Sequence, residues 1–536
     1  MPDQPKPDSR VYDALIHGIE HGIIKVPKFQ RDFVWSIEKT ASLLDSILKG
    51  YPIGTFILWK TGERLNEVKN LGDIDFVQTP EGDKIEYVLD GQQRLTSLVA
   101  AYKGAKIQKN GEKRETDYKN IYVNLDAAED ETIISAEETG DRSKPLYDVL
   151  NFGPLEAVRL QDEGFTEEHI VKLDKYRKAF QTYNFSIVLL TKDDIDSAIE
   201  VFTRINTGGQ VLTLFEIMSA KTYDEEQDFD MQEKWDGFVK KLEDCEYETI
   251  SSTIILHLLA LHLSKGKECK RSVILKLDKQ EIINAWDDVI SSIEETIHFF
   301  RTHYGIPASR LLPYDSLLVP FSYFFLKNGT ETTSQQRQFL EEFFWRMSLS
   351  YRYSSATESK LAQDVRRIDL IIAGQQPDYK EVQVYLDSPQ TLIDTDFSAG
   401  SSYCKAVMCL LAAEKPMDFQ DGAEVILDNS WLKAAHSKNY HHFFPKAYLK
   451  NNNIATENSL MNITLVSDKL NKRKIRARAP SDYLSEFAKS NPDFGAAMRT
   501  HLIDANAPCL ANDDYDDFLQ MRAKAIFRAL KKKIGE

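Results

Sequence analysis

Cysteine is scarce in this sequence and unpatterned. Cys245, Cys269, Cys404, Cys409 and Cys509 are an odd number with no Cys-x-x-Cys pair, which excludes a zinc ribbon and a disulfide-built scaffold. Long hydrophobic runs are missing as well. The longest, Ile254 to Leu263, is broken by His257 and His262 and is too short to span a bilayer. The N-terminal MPDQPKPDSR is polar, with none of the apolar stretch of a secretory signal. Positive charge is in deficit: 67 Lys and Arg face 83 Asp and Glu, a net charge of −16. Any nucleic-acid contact must therefore be local, because an acidic surface repels DNA elsewhere. There is no internal repeat, heptad run or low-complexity tract. These absences point to a reducing cytoplasm and to no membrane partner.

What remains is a globular composition, 42% hydrophobic and 11% aromatic over 536 residues, longer than one core normally organises. The expectation is a multidomain α+β protein with units at 1–225, 226–395 and 396–536.

The most informative stretch runs from Tyr440 to Pro480. It reads as a short strand ending in His441-His442, an asparagine-rich loop, a strand through Leu460–Val466, and a helix opening near Ser467-Asp468 that carries Asn471. Phosphodiester hydrolysis needs a base for water and a cation against the growing phosphate charge, and an imidazole such as His442 titrates in the useful range. From Lys469 to Arg478 six of ten residues are basic and none is acidic. This local face, with Lys472, Arg473, Lys474 and Arg476, suits a phosphate backbone, although a solvated helix face explains it too.

A second feature lies at Ile85–Leu98, where a strand feeds Asp90-Gly91-Gln92-Gln93-Arg94 and then a helix. Gly91 permits a turn closed to other residues, the N–H groups of a helix start can face an anion, and Arg94 could grip a phosphate with its planar fork. The alternative is an ordinary strand-to-helix turn whose Arg94 pairs with a carboxylate. Elsewhere, Val11–Ile24 and Ile37–Lys49 read as helices, Gly54–Trp59 and Phe185–Leu190 as strands, and acidic 126–141 as a solvated loop. Thr213 stands three before Glu216 in capping-box spacing. Six segments between 238 and 372 have helical periodicity, with Phe343-Phe344-Trp345 and Arg352-Tyr353 among them. His257 and His262 read as packed core histidines, residues 373–400 as a boundary, and Tyr515–Ile534 as a basic-ended helix.

The order His-His, Asn, Asn on two strands and a helix resembles the HNH (ββα-metal) nucleases. Gln30-Arg31 with Trp35, Tyr51-Pro52-Ile53-Gly54, Asp90–Arg94 and Phe202–Gly209 with Thr213 and Glu216 resemble the N-terminal half of GmrSD-type, modification-dependent (type IV) restriction endonucleases, a group similar to the phosphorothioate-sensing SspE proteins. That resemblance implies a ParB/sulfiredoxin-like N-terminal domain that binds and hydrolyses a nucleoside triphosphate, an all-helical middle domain and a C-terminal HNH domain. It implies His442 as catalytic base, Asn462 as a brace that orients it, and His441 and Asn471 as ligands of Mg²⁺ or Mn²⁺. Many members carry Asp where His441 stands. It further implies nucleotide contacts from Gln30, Arg31, Asp90, Gly91, Gln92, Gln93, Arg94, Arg204 and Asn206. The expected function is NTP-dependent, metal-dependent cleavage of modified phage DNA, with self-association left open. The competing expectations are a nucleotide-switched DNA-binding regulator with a degenerate HNH module, and an RNA nuclease.

Overall fold

The computed structural model describes residues 5–28, 33–80, 82–109, 114–192, 195–205, 213–433, 440–454, 457–467, 470 and 475–536. Among the expected site residues, Gln30, Arg31, Asn206, Asn471, Lys472, Arg473 and Lys474 lie outside them. The chain forms two compact units, residues 1–231 and 232–536.

The first unit is built on a five-stranded mixed sheet. Lys6–Val11 lies antiparallel to Asn184–Leu190, which runs parallel to Phe56–Thr61; that strand is antiparallel to Ile85–Asp90, and Ile24–Lys25 closes the far edge in parallel. The first strand was not expected from its polar residues and Pro7. It forms because an edge strand leaves one side of its backbone unpaired, so a residue without an N–H is tolerated there. Helix Ile37–Leu48 opens on Ser36, whose hydroxyl accepts from the Lys39 N–H, and it turns Ala41, Leu43, Leu44 and Ile47 inward. These residues join Tyr12, Leu15, Phe56, Leu58, Val88 and Leu98 in one core.

The acidic stretch 126–141 is more than a solvated loop. Ile134–Ser135 pairs with Tyr122–Val123, and the Asp45 carboxylate accepts the Ile133 and Ile134 N–H groups at 2.9 and 3.0 Å. The two buried isoleucines outweigh the flanking acids, which stay outside. Helix Leu214–Thr222 starts on the expected box: the Thr213 hydroxyl accepts from the Glu216 N–H, and the Glu216 carboxylate accepts from the Thr213 N–H at 2.7 Å.

In the second unit, helices Thr253–Leu263, Lys279–His303, Leu318–Asn328, Ser334–Ser348 and Thr357–Ile372 enclose an aromatic core. Phe300 meets Phe321 edge-on, with ring centroids 4.8 Å apart, and Tyr304 packs on Phe344 at the same separation. Phe343, Phe344 and Trp345 are buried in it. His257 is buried too, and burial pushes its imidazole down to about 4, so it stays neutral. Residues 373–400 lie within this unit. Their short helix Pro389–Ile393 meets helix Tyr515–Lys533, where Gln520 donates to Gln390 at 3.1 Å. Helix Ser402–Ala413 follows. Among the described residues no helix is long and apolar enough to cross a membrane.

Candidate functional sites

The strand Ile85–Asp90 delivers Asp90 to the start of helix Gln92–Lys103, and Gly91 between them sits at φ +96°. A Cβ on Gly91 would lie 2.4 Å from Phe56 Cδ1, and one on Gly54, at φ +91°, would lie 2.6 Å from Arg94 Nη1. Two glycines thus make room for one guanidinium. Arg94 fills it: Nη1 donates to the Ile53 carbonyl at 2.8 Å, and Nη2 donates to the Thr55 carbonyl at 2.9 Å and to Asp90 Oδ2 at 3.4 Å. Burial holds the guanidinium below its ordinary value, partly offset by Asp90. The fork therefore shapes the 53–55 loop and pairs with a carboxylate, the alternative that the residues themselves had left open. Buried Gln93 accepts the Val34 N–H on Oε1 at 2.9 Å, tying the segment that follows Gln30-Arg31 to this turn. Gln92 is half-buried on the first helical turn. Arg204 stands apart in kind: its exposed guanidinium pairs at 2.6 Å with Glu200 of its own helix, Ile195–Ile205.

Gly91→Ala tests how tightly this turn is built. The added methyl meets both a disfavoured backbone and the Phe56 ring, so the first unit should lose about 2–4 kcal/mol. Gly82→Ala, also at positive φ but with open space around it, should lose only about 1 kcal/mol. Denaturant melts followed by circular dichroism compare the two.

In the second unit, Tyr440–His442 and Ile463–Leu465 form a two-stranded antiparallel ladder in the register Tyr440↔Leu465, His441↔Thr464, His442↔Ile463. The second strand is shorter than expected, because Leu460–Asn462 form a single 3₁₀ turn before it. The intervening loop also contains helix Lys446–Asn451.

His441 is buried. Its Nδ1 lies 2.8 Å from the Thr464 hydroxyl, and its Nε2 is buried with no hydrogen-bond partner among the described residues. Burial, and then the charges of His442, His501 and Arg522, keep it neutral by pushing its pKa far down. His442 is half-buried, and burial pushes it down to about 4, below the near-neutral range expected from its residue type. Its Nε2 lies 3.2 Å from Asn458 Oδ1, while Asn458 Nδ2 donates to the Phe397 carbonyl at 3.0 Å. That second bond fixes Oδ1 as an acceptor, so His442 carries its proton on Nε2 and offers the Nδ1 lone pair.

Asn462, fully buried, acts on the backbone: Oδ1 accepts from the Phe444 N–H at 2.8 Å, and Nδ2 donates to the Phe444 carbonyl at 2.9 Å and the Glu457 carbonyl at 3.3 Å. The partner that touches His442 is thus Asn458, which sequence reasoning missed. Nothing in an asparagine-rich loop marks one asparagine over its neighbours. Arg522 was missed as well. Buried on helix Tyr515–Lys533, it donates from Nη1 to the Met461 and Ile463 carbonyls, at 2.8 and 2.5 Å, and from Nε to the His501 carbonyl at 3.1 Å. Arg476 is exposed, with a left-handed backbone at φ +53°.

Among the described residues no group of three or more His, Cys, Asp and Glu side chains gathers into a metal site. The orphaned Nε2 of His441 nevertheless fits a metal-ligating imidazole: the opposite nitrogen is tied to a hydroxyl, the pattern that sets the tautomer of ligating histidines.

Residues 12–223 match the family described as GmrSD restriction endonuclease, N-terminal domain. Over 523 residues the chain is 25% identical to the uncharacterized protein MJ0686 of Methanocaldococcus jannaschii, covering 90% of this chain and 87% of the relative. The turn at Asp90–Arg94 and the capped helix at Thr213 both fall inside the matched span. Residues 12–223 are thus similar to the N-terminal domain of GmrSD restriction endonucleases.

Proposed function

We propose that this chain is an endonuclease that hydrolyses phosphodiester bonds of modified, phage-derived DNA at the hairpin of His441, His442 and Asn462, under control of a nucleoside triphosphate in the N-terminal domain. The observation that carries the reading is the His442 ring held through Nε2 by Asn458 beside His441 on the hairpin, in a chain whose residues 12–223 match a restriction-endonuclease N-terminal domain. Nδ1 takes the proton of a water as its oxygen attacks phosphorus, the bond to the sugar oxygen breaks, and that oxygen leaves with a proton from solvent. Asn458 holds the ring in the competent tautomer; Asn462 holds the backbone that follows it. His441 and Asn471 would hold Mg²⁺ or Mn²⁺, which offsets the negative charge gathering on the phosphate. Lys472, Arg473, Lys474 and Arg476 would meet the DNA backbone. In the N-terminal domain the nucleotide would lie at the helix start, near Gln30, Arg31, Asp90 to Gln93, Arg204 and Asn206, with Arg94 shaping the loop beside it.

One observation favours a second reading. The guanidinium of Arg522 acts electrostatically on His441 and opposes a cation there, as a nucleotide-switched DNA-binding regulator with a degenerate hairpin would tolerate. The test incubates the full chain with modified and unmodified plasmid and with RNA, with Mg²⁺, Mn²⁺ or EDTA and each nucleoside triphosphate. The endonuclease reading expects nicked or linear modified plasmid only when metal and nucleotide are both present. Retarded but intact DNA under every condition would establish the regulator instead, and cleavage of RNA alone would reject DNA as substrate.

A further inference from the structure

Three aromatic side chains are exposed among the described residues, Tyr51, Tyr351 and Tyr385, and the last two meet each other. Their ring centroids are 5.3 Å apart at 65°, and Tyr351 stacks on buried Tyr403 at 5.9 Å and 20°. Tyr351 also has a left-handed backbone, φ +49° and ψ +26°, which is unusual for a bulky residue. Its neighbours enforce that shape. Arg352 Nε and the Tyr353 hydroxyl donate to Asp364 Oδ2 at 2.6 and 2.7 Å, and Arg367 Nη1 donates to Oδ1 at 2.7 Å, on a carboxylate with no exposure. A buried ionic network thus holds the strained backbone, and the aromatic ring is turned outward.

The platform is braced by hydrogen bonds and is joined to the hairpin through one short loop. The Tyr403 hydroxyl donates to the Tyr385 carbonyl at 2.7 Å, and the Tyr385 N–H donates to the Leu349 carbonyl at 3.0 Å. The Tyr351 hydroxyl bonds the side chain of Ser401. From Ser401 the chain leads back four residues to Phe397, whose N–H donates to the Asn458 carbonyl at 2.9 Å, and Asn458 holds His442. One short loop thus has the tyrosines on one flank and the candidate base on the other.

Resting on the nucleic-acid reading above, we propose that Tyr351 and Tyr385, backed by Tyr403, form a stacking platform for an unpaired nucleobase a few nucleotides from the scissile phosphate. Every base presents a flat π-face, so such a platform tolerates sequence while demanding that the base be free of its partner.

The experiment uses the full chain in EDTA with a single-stranded oligonucleotide carrying 2-aminopurine, and reads both anisotropy and fluorescence. Wild-type protein should quench the probe, Tyr351→Ala and Tyr385→Ala should bind about 10-fold more weakly without quenching, and Tyr351→Trp should retain both. Thermal melts of each variant identify any that fail to fold, and in that case an oligonucleotide with an abasic site at the probe position tests the wild type alone: it should bind about 10-fold more weakly than the intact oligonucleotide. Unchanged affinity and quenching in folded Tyr351→Ala, or abasic binding as tight as intact, would overturn the platform while leaving plasmid cleavage to judge the endonuclease reading. Absence of any oligonucleotide binding by the wild type would likewise overturn the platform, and the plasmid assay alone decides the endonuclease reading.

Discussion

His442→Ala should abolish metal-dependent strand cleavage, lowering the rate by about 10³-fold, within the range removed with a general base. The protein should otherwise be intact. His442 is half-buried and among the described residues its ring makes one hydrogen bond, to Asn458 at 3.2 Å, so truncation should cost only about 1 kcal/mol of stability, and nucleotide turnover in the other unit should persist. Asn458→Ala separates the two parts of the argument. The ring stays while its tautomer is released, so cleavage should fall by about 10-fold and not vanish. Plasmid nicking and triphosphate hydrolysis assays on the two variants make the comparison.

Arg522→Ala should be the most destabilising single change near the hairpin, at about 3–5 kcal/mol. The side chain is fully buried, with no carboxylate against it among the described residues. Its charge is met by the carbonyls of Met461, Ile463 and His501, and burial pulls it down to about 9. Removing it strands three buried carbonyls, each costing about 1–3 kcal/mol less whatever water recovers, and empties a large volume. Because Met461 and Ile463 flank Asn462, the loss should spread to the backbone at Phe444. Arg522→Lys reaches fewer carbonyls and should fall between wild type and Ala. Urea melts followed by tryptophan fluorescence measure the series.

How far the residues had announced this architecture varies with the kind of signal. Helices such as Thr253–Leu263 and Ser402–Ala413, and the box from Thr213 to Glu216, were legible because apolar period and capping chemistry are local. The edge strand Lys6–Val11 was not, since its pairing with Asn184–Leu190 joins positions nearly the whole unit apart and its polar side chains carry no period. At the hairpin the histidines were visible as a pair, while the residue that holds His442 and the arginine that anchors the strand were not: Asn458 looks like any loop asparagine, and Arg522 looks like part of a basic helix tail. Arg94 is a mixed case: its residue type suits an anion, while the carbonyls of Ile53 and Thr55 that it meets come from a loop some forty residues earlier and carry no local signal.

The account turns on whether the hairpin holds a divalent cation beside a neutral base. The direct measurement is Mn²⁺ binding to the full chain, located by anomalous scattering in crystals and quantified by calorimetry for wild type, His441→Ala and Asn471→Ala. The expected result is one ion beside residues 441 and 471, bound at least about 10-fold more weakly in either variant. A wild-type protein that binds no Mn²⁺ there, or binds it unchanged after both substitutions, would contradict the assignment.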